Sequence, residues 1–227
     1  MKSEAIVASA GIGKRLRAKI RKPYLNLLGK PILVHTLQAL SNSKDIDNII
    51  VVVNRLDKKR CERIIERYRI KKVKAVVVGG RYRYSSVRNG LNSLDKDTDI
   101  VIIHDAVRPF IDDDIIGRSV RCAKRFGACV VGAPVISTIK EVDGTLKILS
   151  TPKRKRFWFA QTPQVFRKAL ILRAYNVKGN GRFTLTDDAA CVERLGVKVR
   201  MIMGSYRNIK ITTPEDLAVA RGLAKCA

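Results

Sequence analysis

Residues 8–22 read ASAGIGKRLRAKIRK, a glycine turn followed by six cations within nine residues: Lys14, Arg15, Arg17, Lys19, Arg21 and Lys22. Small residues let backbone come close to a ligand, and successive N–H groups can cradle phosphate oxygens. Packing so many cations together is costly without an anion to meet them, so the pattern points to phosphate binding. It matches neither G-x-x-x-x-G-K-[ST] nor G-x-G-x-x-G, so neither standard phosphate fingerprint applies. A second group, DIVIIHDAVRP at 99–109, ends an apolar run on Asp105. An acid there lies where open α/β sheets bind ligands. One carboxylate beside nucleotide phosphates is a common way to hold Mg²⁺. Asp105 could equally cap the turn or pair with Arg108. His104 reads as an orienting core histidine rather than a catalyst. Lys210, between Ile209 and Ile211, needs an anionic partner if it is buried.

The elements that must position these residues follow from periodicity. Nearly continuous apolar runs predict strands at Glu4–Ala8, Asn48–Val53, Lys74–Val78, Asp99–His104, Ala128–Ala133 and Lys198–Met203. Amphipathic stretches predict helices near Pro31–Leu40, Asp57–Tyr68, Ser86–Leu94, Asp113–Arg125 and Thr186–Leu195. A last helix opens at Thr213-Pro214-Glu215, an N-cap followed by proline. The alternation predicts an α/β fold with a doubly wound, mostly parallel sheet, in one domain over 1–227. Residues 137–157 break the rhythm with two short alternating runs around Asp143-Gly144, a hairpin signal. This segment reads as a projecting β-arm, suited to docking on a second subunit.

Composition excludes several classes. The 227 residues are 46% hydrophobic, without an apolar run of the ~18–20 residues that spans a bilayer. The acid at Glu4, before a very short apolar stretch, makes a poor signal peptide, so a cytoplasmic protein is expected. Five scattered cysteines with no C-x-x-C pair argue against a disulfide framework or a zinc site, and two histidines exclude a His-rich metal cluster. The formal charge of +26 allows polyanion binding or the steering of small phosphorylated substrates. The cations are spread along the whole chain and no nucleic-acid module is visible, so nucleic acid is not the expected partner.

Eight segments taken in order make the chain recognisable: AGIGKRL (10–16), RKPYL (21–25), GGRYRYSSV (79–87), HDAVRP (104–109), APVISTIK (133–140), WFAQTPQ (158–164), TDDA (186–189) and NIKITTPEDL (208–217). Along nearly its whole length the chain resembles the 2-C-methyl-D-erythritol 4-phosphate cytidylyltransferases. The resemblance implies transfer of CMP from CTP to methylerythritol phosphate, releasing pyrophosphate and giving 4-diphosphocytidyl-2-C-methyl-D-erythritol. It implies that Ala10, Gly11 and Gly13 wrap the triphosphate. Gly80 and Ser86 would read the cytosine and ribose side, and Ala106 is a further nucleotide-binding position. Arg15 and Lys22 match transition-state stabilisers, and Asp105 matches the carboxylate for Mg²⁺. Thr138, Arg154 and Lys210 match residues that position methylerythritol phosphate, with Thr162 supporting the same pocket. The family's arm crosses a homodimer interface, so Arg154 would serve the neighbouring subunit's site. The chain departs from the family pattern at Ala8-Ser9, where many members have Pro-Ala, at the order Lys22-Pro23, and at Arg81, which replaces an acid.

The nucleophile in such a transfer is a phosphate monoester that is already anionic, so no catalytic triad is required. The barrier is electrostatic, and positioning with fixed positive charge lowers it. Three other readings remain at this point: a ribitol 5-phosphate cytidylyltransferase sharing most of these motifs, a nucleotidyltransferase using another base, and, from another class, a basic RNA-binding protein.

Overall fold

A computed structural model describes residues 1–11, 20–177 and 186–225. Gly13, Lys14, Arg15, Arg17 and Lys19 lie outside them. Among the described residues the central sheet has seven strands in the order β11-β7-β10-β6-β1-β4-β5. Its strands are β1 (Lys2–Ser9), β4 (Asn48–Val53), β5 (Val73–Val78), β6 (Thr98–Asp105), β7 (Ala128–Pro134), β10 (Trp158–Arg167) and β11 (Arg200–Met203). Six run parallel, and β10 is antiparallel to both its neighbours. Two short pairs lie outside it, β2 (Asn26–Leu27) with β3 (Lys30–Pro31), and β8 (Glu141–Val142) with β9 (Ile148–Ser150).

The apolar runs form strands because both faces of the sheet are covered. Alternate side chains sort cleanly between them. Ala5, Val7, Ile49, Val51, Ile100 and Ile102 pack under helices α1 (Ile32–Asn42), α2 (Lys58–Arg67) and α4 (Asp113–Phe126). Ile6, Ile50, Val52, Val101 and Ile103 face α3 (Arg83–Leu91), α5 (Lys168–Asn176) and α6 (Asp188–Glu193). A smaller cluster of Leu27, Ile32, Val107 and Ile211 seats the final helix α7 (Pro214–Lys225). Among the described residues no helix is long and apolar enough to cross a membrane.

The sheet is doubly wound and mostly parallel, as the pattern predicts. Two elements were not visible in that pattern. Strand β10 carries Gln161, Thr162, Pro163 and Gln164 at its middle, so it lacks the unbroken apolar run of a buried parallel strand. Helix α5 follows it directly. Helix α3 begins three residues before the expected Ser86, because Ser85 Oγ accepts the Tyr82 N–H at the helix start. Lys210, whose apolar flanks suggest a strand, lies in a loop instead. The 137–157 segment forms the short β8–β9 pair apart from the main sheet. Its turn is tied by Asp143 Oδ1, which accepts the N–H groups of Thr145 (2.8 Å) and Lys147 (3.0 Å).

Candidate functional site

From β1 the chain winds outward through β4 to β5, then returns to place β6 on the other side of β1. Such a reversal opens a crevice at the carboxyl ends of the two central strands. Ala8 and Asp105 are paired across this junction, and beyond it lies a cavity of about 330 Å³. Ala10 and Gly11 line it from just past the end of β1, Gly80 from the turn before α3 and Ser86 from the first turn of α3. Lys22, Asp105 and Lys210 face the same space.

Lys22 opens a 3-10 turn over Lys22–Tyr24, with Pro23 fixing φ at the second residue. Arg21 pairs with Asp57 at 2.5 Å on one side of it. On the other, Tyr24 is buried and the Arg60 guanidinium lies 4.5 Å from its ring centroid. The Lys22 ammonium donates to the Thr212 carbonyl at 2.6 Å. Asp216 in turn holds Thr212 by accepting from its N–H (2.7 Å) and hydroxyl (2.6 Å).

Asp105 is 6% exposed and ringed by cations. Lys210 Nζ stands 2.9 Å and Arg108 Nε 3.4 Å from Oδ2, while Arg83 Nε is 3.9 Å from Oδ1. Burial alone would raise its pKa, but Lys210, Arg83 and Arg108 outweigh it and hold the carboxyl down at about 2. Lys210 pairs with this carboxylate although its own side chain is 41% exposed, so burial is not what calls for the partner. The pairing with Arg108 is present too, so Asp105 both lines the cavity and anchors the turn after β6.

Behind Asp105 the polar groups form a closed chain. Its N–H donates to Thr162 Oγ1 at 3.0 Å, and Thr162 Oγ1 lies 3.1 Å from His104 Nδ1. His104 Nε2 is 3.1 Å from the Arg108 carbonyl. A carbonyl only accepts, so Nε2 carries the hydrogen and the Thr162 hydroxyl donates to Nδ1. Burial pushes His104 down to about 4, which keeps it neutral. The histidine orients and does not titrate near neutral pH. Asn208 closes the network, donating to the Thr162 carbonyl at 2.9 Å.

Not every expected site residue reaches the cavity. Thr162 and Ala106 are buried behind its wall. The Ala106 N–H donates to the Ala8 carbonyl, tying the two strand ends together. Thr138 and Arg154 are exposed on the arm, where an Arg154 Nη1–H donates to the Ile136 carbonyl. Arg15 and Gly13 lie outside the described residues. Sequence reasoning passed over Arg83 and Gly79. Arg83 lines the cavity and is gripped by the fully buried Asp188. A β-carbon at Gly79 would stand 2.6 Å from that of Ala10 and 2.7 Å from Ser86 Oγ, so only glycine lets these two turns meet. Both residues sit inside the quoted GGRYRYSSV segment, which was the available signal.

Among the described residues there is no group of three or more His, Cys, Asp or Glu able to enclose a metal. Asp105 nevertheless fits Mg²⁺, which binds through one or two carboxylates together with substrate phosphates and water. Its Oδ1 is the oxygen left beyond hydrogen-bond reach of Arg83.

A sequence profile described as IspD, 2-C-methyl-D-erythritol 4-phosphate cytidylyltransferase, matches residues 4–225. The chain is 42% identical over 223 residues to the protein of that name from Alkaliphilus metalliredigens, covering 98% of this chain and 92% of the relative. It is 45% identical over 217 residues to that from Clostridioides difficile, covering 95% and 90%. The solved 4-diphosphocytidyl-2C-methyl-D-erythritol synthase from Anaerococcus prevotii superposes with a TM-score of 0.87 at 31% identity, over 99% of this chain and 96% of that one. The Thermus thermophilus 2-C-methyl-D-erythritol 4-phosphate cytidylyltransferase gives 0.81 at 28%, over 99% and 100%.

Proposed function

The chain belongs to the 2-C-methyl-D-erythritol 4-phosphate cytidylyltransferase family, and from that premise we propose how its residues divide the work of moving CMP from CTP to methylerythritol phosphate. The observation that carries the proposal is the convergence of Lys22, Asp105 and Lys210 on one cavity at the β1/β6 crevice.

Ala10, Gly11 and Gly13 bring backbone N–H groups to the triphosphate, and Gly80 and Ser86 form the wall for the nucleoside. Ala106 acts from behind by joining β1 to the turn after β6. Lys210 and Thr162 serve the acceptor side, Lys210 by direct contact with its phosphate and Thr162 by fixing the Asp105 backbone. The acceptor phosphate oxygen forms a bond to the α-phosphorus of CTP, and the bond from that phosphorus to the pyrophosphate oxygen breaks. Lys22 and Arg15 stabilise the negative charge that gathers on the α-phosphate and the departing pyrophosphate. Asp105, ionised well below neutral pH, would hold Mg²⁺ together with the triphosphate. When bound, the metal supplies additional charge neutralisation at the phosphates.

Thr138 and Arg154 lie on the exposed arm with the apolar side chains Leu146, Ile148 and Leu149, which are 61–81% exposed. An apolar patch of this kind suits an intersubunit contact. We place the arm across a homodimer interface, with Arg154 completing the partner's site. Cys61, Cys122, Cys129 and Cys191 are free thiols, as suits a reducing cytoplasm.

The test is pyrophosphate release from CTP with methylerythritol phosphate or ribitol 5-phosphate as acceptor, each with and without Mg²⁺. Release with methylerythritol phosphate that depends on Mg²⁺ is expected. Release only with ribitol 5-phosphate, or full turnover in the presence of a chelator, would overturn the acceptor or the metal role respectively.

A further inference from the structure

Arg83 stands between two carboxylates and is bonded to only one of them. Its Nη1 and Nη2 donate to Oδ1 and Oδ2 of Asp188 at 2.8 and 2.7 Å. Its Nε remains 3.9 Å from Oδ1 of Asp105. Asp188 is fully buried and fixed from other directions. It accepts the Tyr175 hydroxyl at 2.6 Å, and its own N–H donates to Gln164 Oε1 at 3.1 Å. Tyr175 is stacked on Tyr84 at 4.5 Å, and the Tyr84 hydroxyl donates to the Tyr175 carbonyl at 2.6 Å. The acid cannot follow the guanidinium toward the cavity, so the guanidinium is held back.

Asp105 has little room for another cation. Lys210 and Arg108 share its Oδ2, which leaves Oδ1 as the oxygen open to a ligand. A guanidinium released from Asp188 would need to move only about 1 Å to hydrogen-bond that oxygen. There it would compete directly with a divalent cation, because both seek the same lone pairs and repel each other.

We infer that Asp188 is a positioning residue for the metal site: by gripping Arg83 with two bonds it keeps that cation off Asp105 Oδ1. The inference rests on the reading of Asp105 as the metal carboxylate. It assigns a purpose to the TDDA segment, which supplies a countercharge rather than a ligand. Arg83 is thereby a cation of the cavity wall that acts on Asp105 through charge at 3.9 Å while its hydrogen bonds go to Asp188.

The experiment is calorimetric titration of a CTP analogue with a methylene between the α- and β-phosphorus, with and without Mg²⁺. The ratio of the two dissociation constants is the metal-dependent enhancement. Asp188→Asn is expected to lower that ratio about tenfold, the scale of one added charge contact in a partly solvated site. The double variant Arg83→Met/Asp188→Asn is expected to restore it. A wild-type ratio in Asp188→Asn, or equal loss in both variants, overturns the inference. Should Asp188→Asn fail to fold, the double variant decides alone: a ratio at or above wild type supports the inference and a reduced ratio overturns it. Asp105→Asn separates the underlying reading. If that variant keeps the full enhancement, the metal is not on Asp105 and the inference falls with it. If it loses the enhancement while Asp188→Asn does not, only the role of Asp188 is wrong.

Discussion

The Thr162 hydroxyl accepts the backbone N–H of Asp105 at 3.0 Å, fixing the acid at the cavity wall from a strand that runs the opposite way. Replacing Thr162 by valine leaves that buried N–H without a partner, at a cost of about 1–3 kcal/mol. Urea denaturation should show the loss, and Thr162→Ser should recover most of it. A valine variant as stable as wild type would mean that the hydroxyl is dispensable.

Lys22 is held in place by a proline turn and the Thr212 carbonyl, and it faces the cavity directly. Lys22→Ala should lower turnover by roughly 10²–10³, the scale for losing one electrostatic stabiliser, with a smaller effect on KM for CTP. Unchanged turnover would remove lysine from the chemistry.

Gly79 meets Ala10 and Ser86 with no room for a methyl group. Gly79→Ala must separate the two segments that meet at the cavity wall assigned above to the nucleoside. We expect KM for CTP to rise about tenfold or more, since displacements of about 1 Å are costly in positioned sites. Equal KM values would show that the segments can part freely.

The His104 network carries a definite pH sign. The imidazole titrates at about 4 when folded against 6.5 for the free group, so the unfolded chain binds the extra proton first. The resulting stability is complete above about pH 6.5 and is lost as pH falls toward 4, by about 3 kcal/mol in all. Asp105, held at about 2, adds a separate loss only below its ordinary value of 3.8. Denaturation midpoints at pH 7 and pH 4.5 measure this, and His104→Gln should flatten the upper part of the curve.

If Arg154 serves the partner's site, two inactive variants should rescue one another. Dimers mixed from Arg154→Ala and Lys22→Ala subunits contain one intact site in each heterodimer. Co-expression should therefore return about a quarter of wild-type activity. Activity no greater than that of the two variants alone would place Arg154 outside the neighbouring site.

Much of this architecture was readable beforehand, for physical reasons. Parallel strands such as Asn48–Val53 announce themselves because both faces are dry, whereas Lys210 between two isoleucines is exposed and reaches Asp105 from the cavity rim. Strand β10 was hidden because its middle is polar: Gln161, Thr162 and Gln164 are buried by bonding to other segments, not by apolar contact. The Arg83–Asp188 pair joins residues 105 positions apart, a separation at which no local pattern carries information. The placement of Thr162 behind Asp105 likewise depends on a contact between residues 57 positions apart.

Strand β10 has one more consequence. It starts beside the exposed arm, at Trp158 against Pro134, and by Gln164 it is paired with Ile103 of the strand that ends on the acid. Between Ala160 and Gln164 the ladder with β7 shifts register, so the position of Thr162 depends on the number of residues in that irregular stretch, and gaining or losing one there would move Thr162 away from Asp105. The tip of the arm around Gly144, where an added β-carbon meets no atom within 4 Å, is under no such constraint. Length variation among functional versions of this chain should therefore gather at the tip and be missing from the strand, even though the strand's first residues lie at the surface.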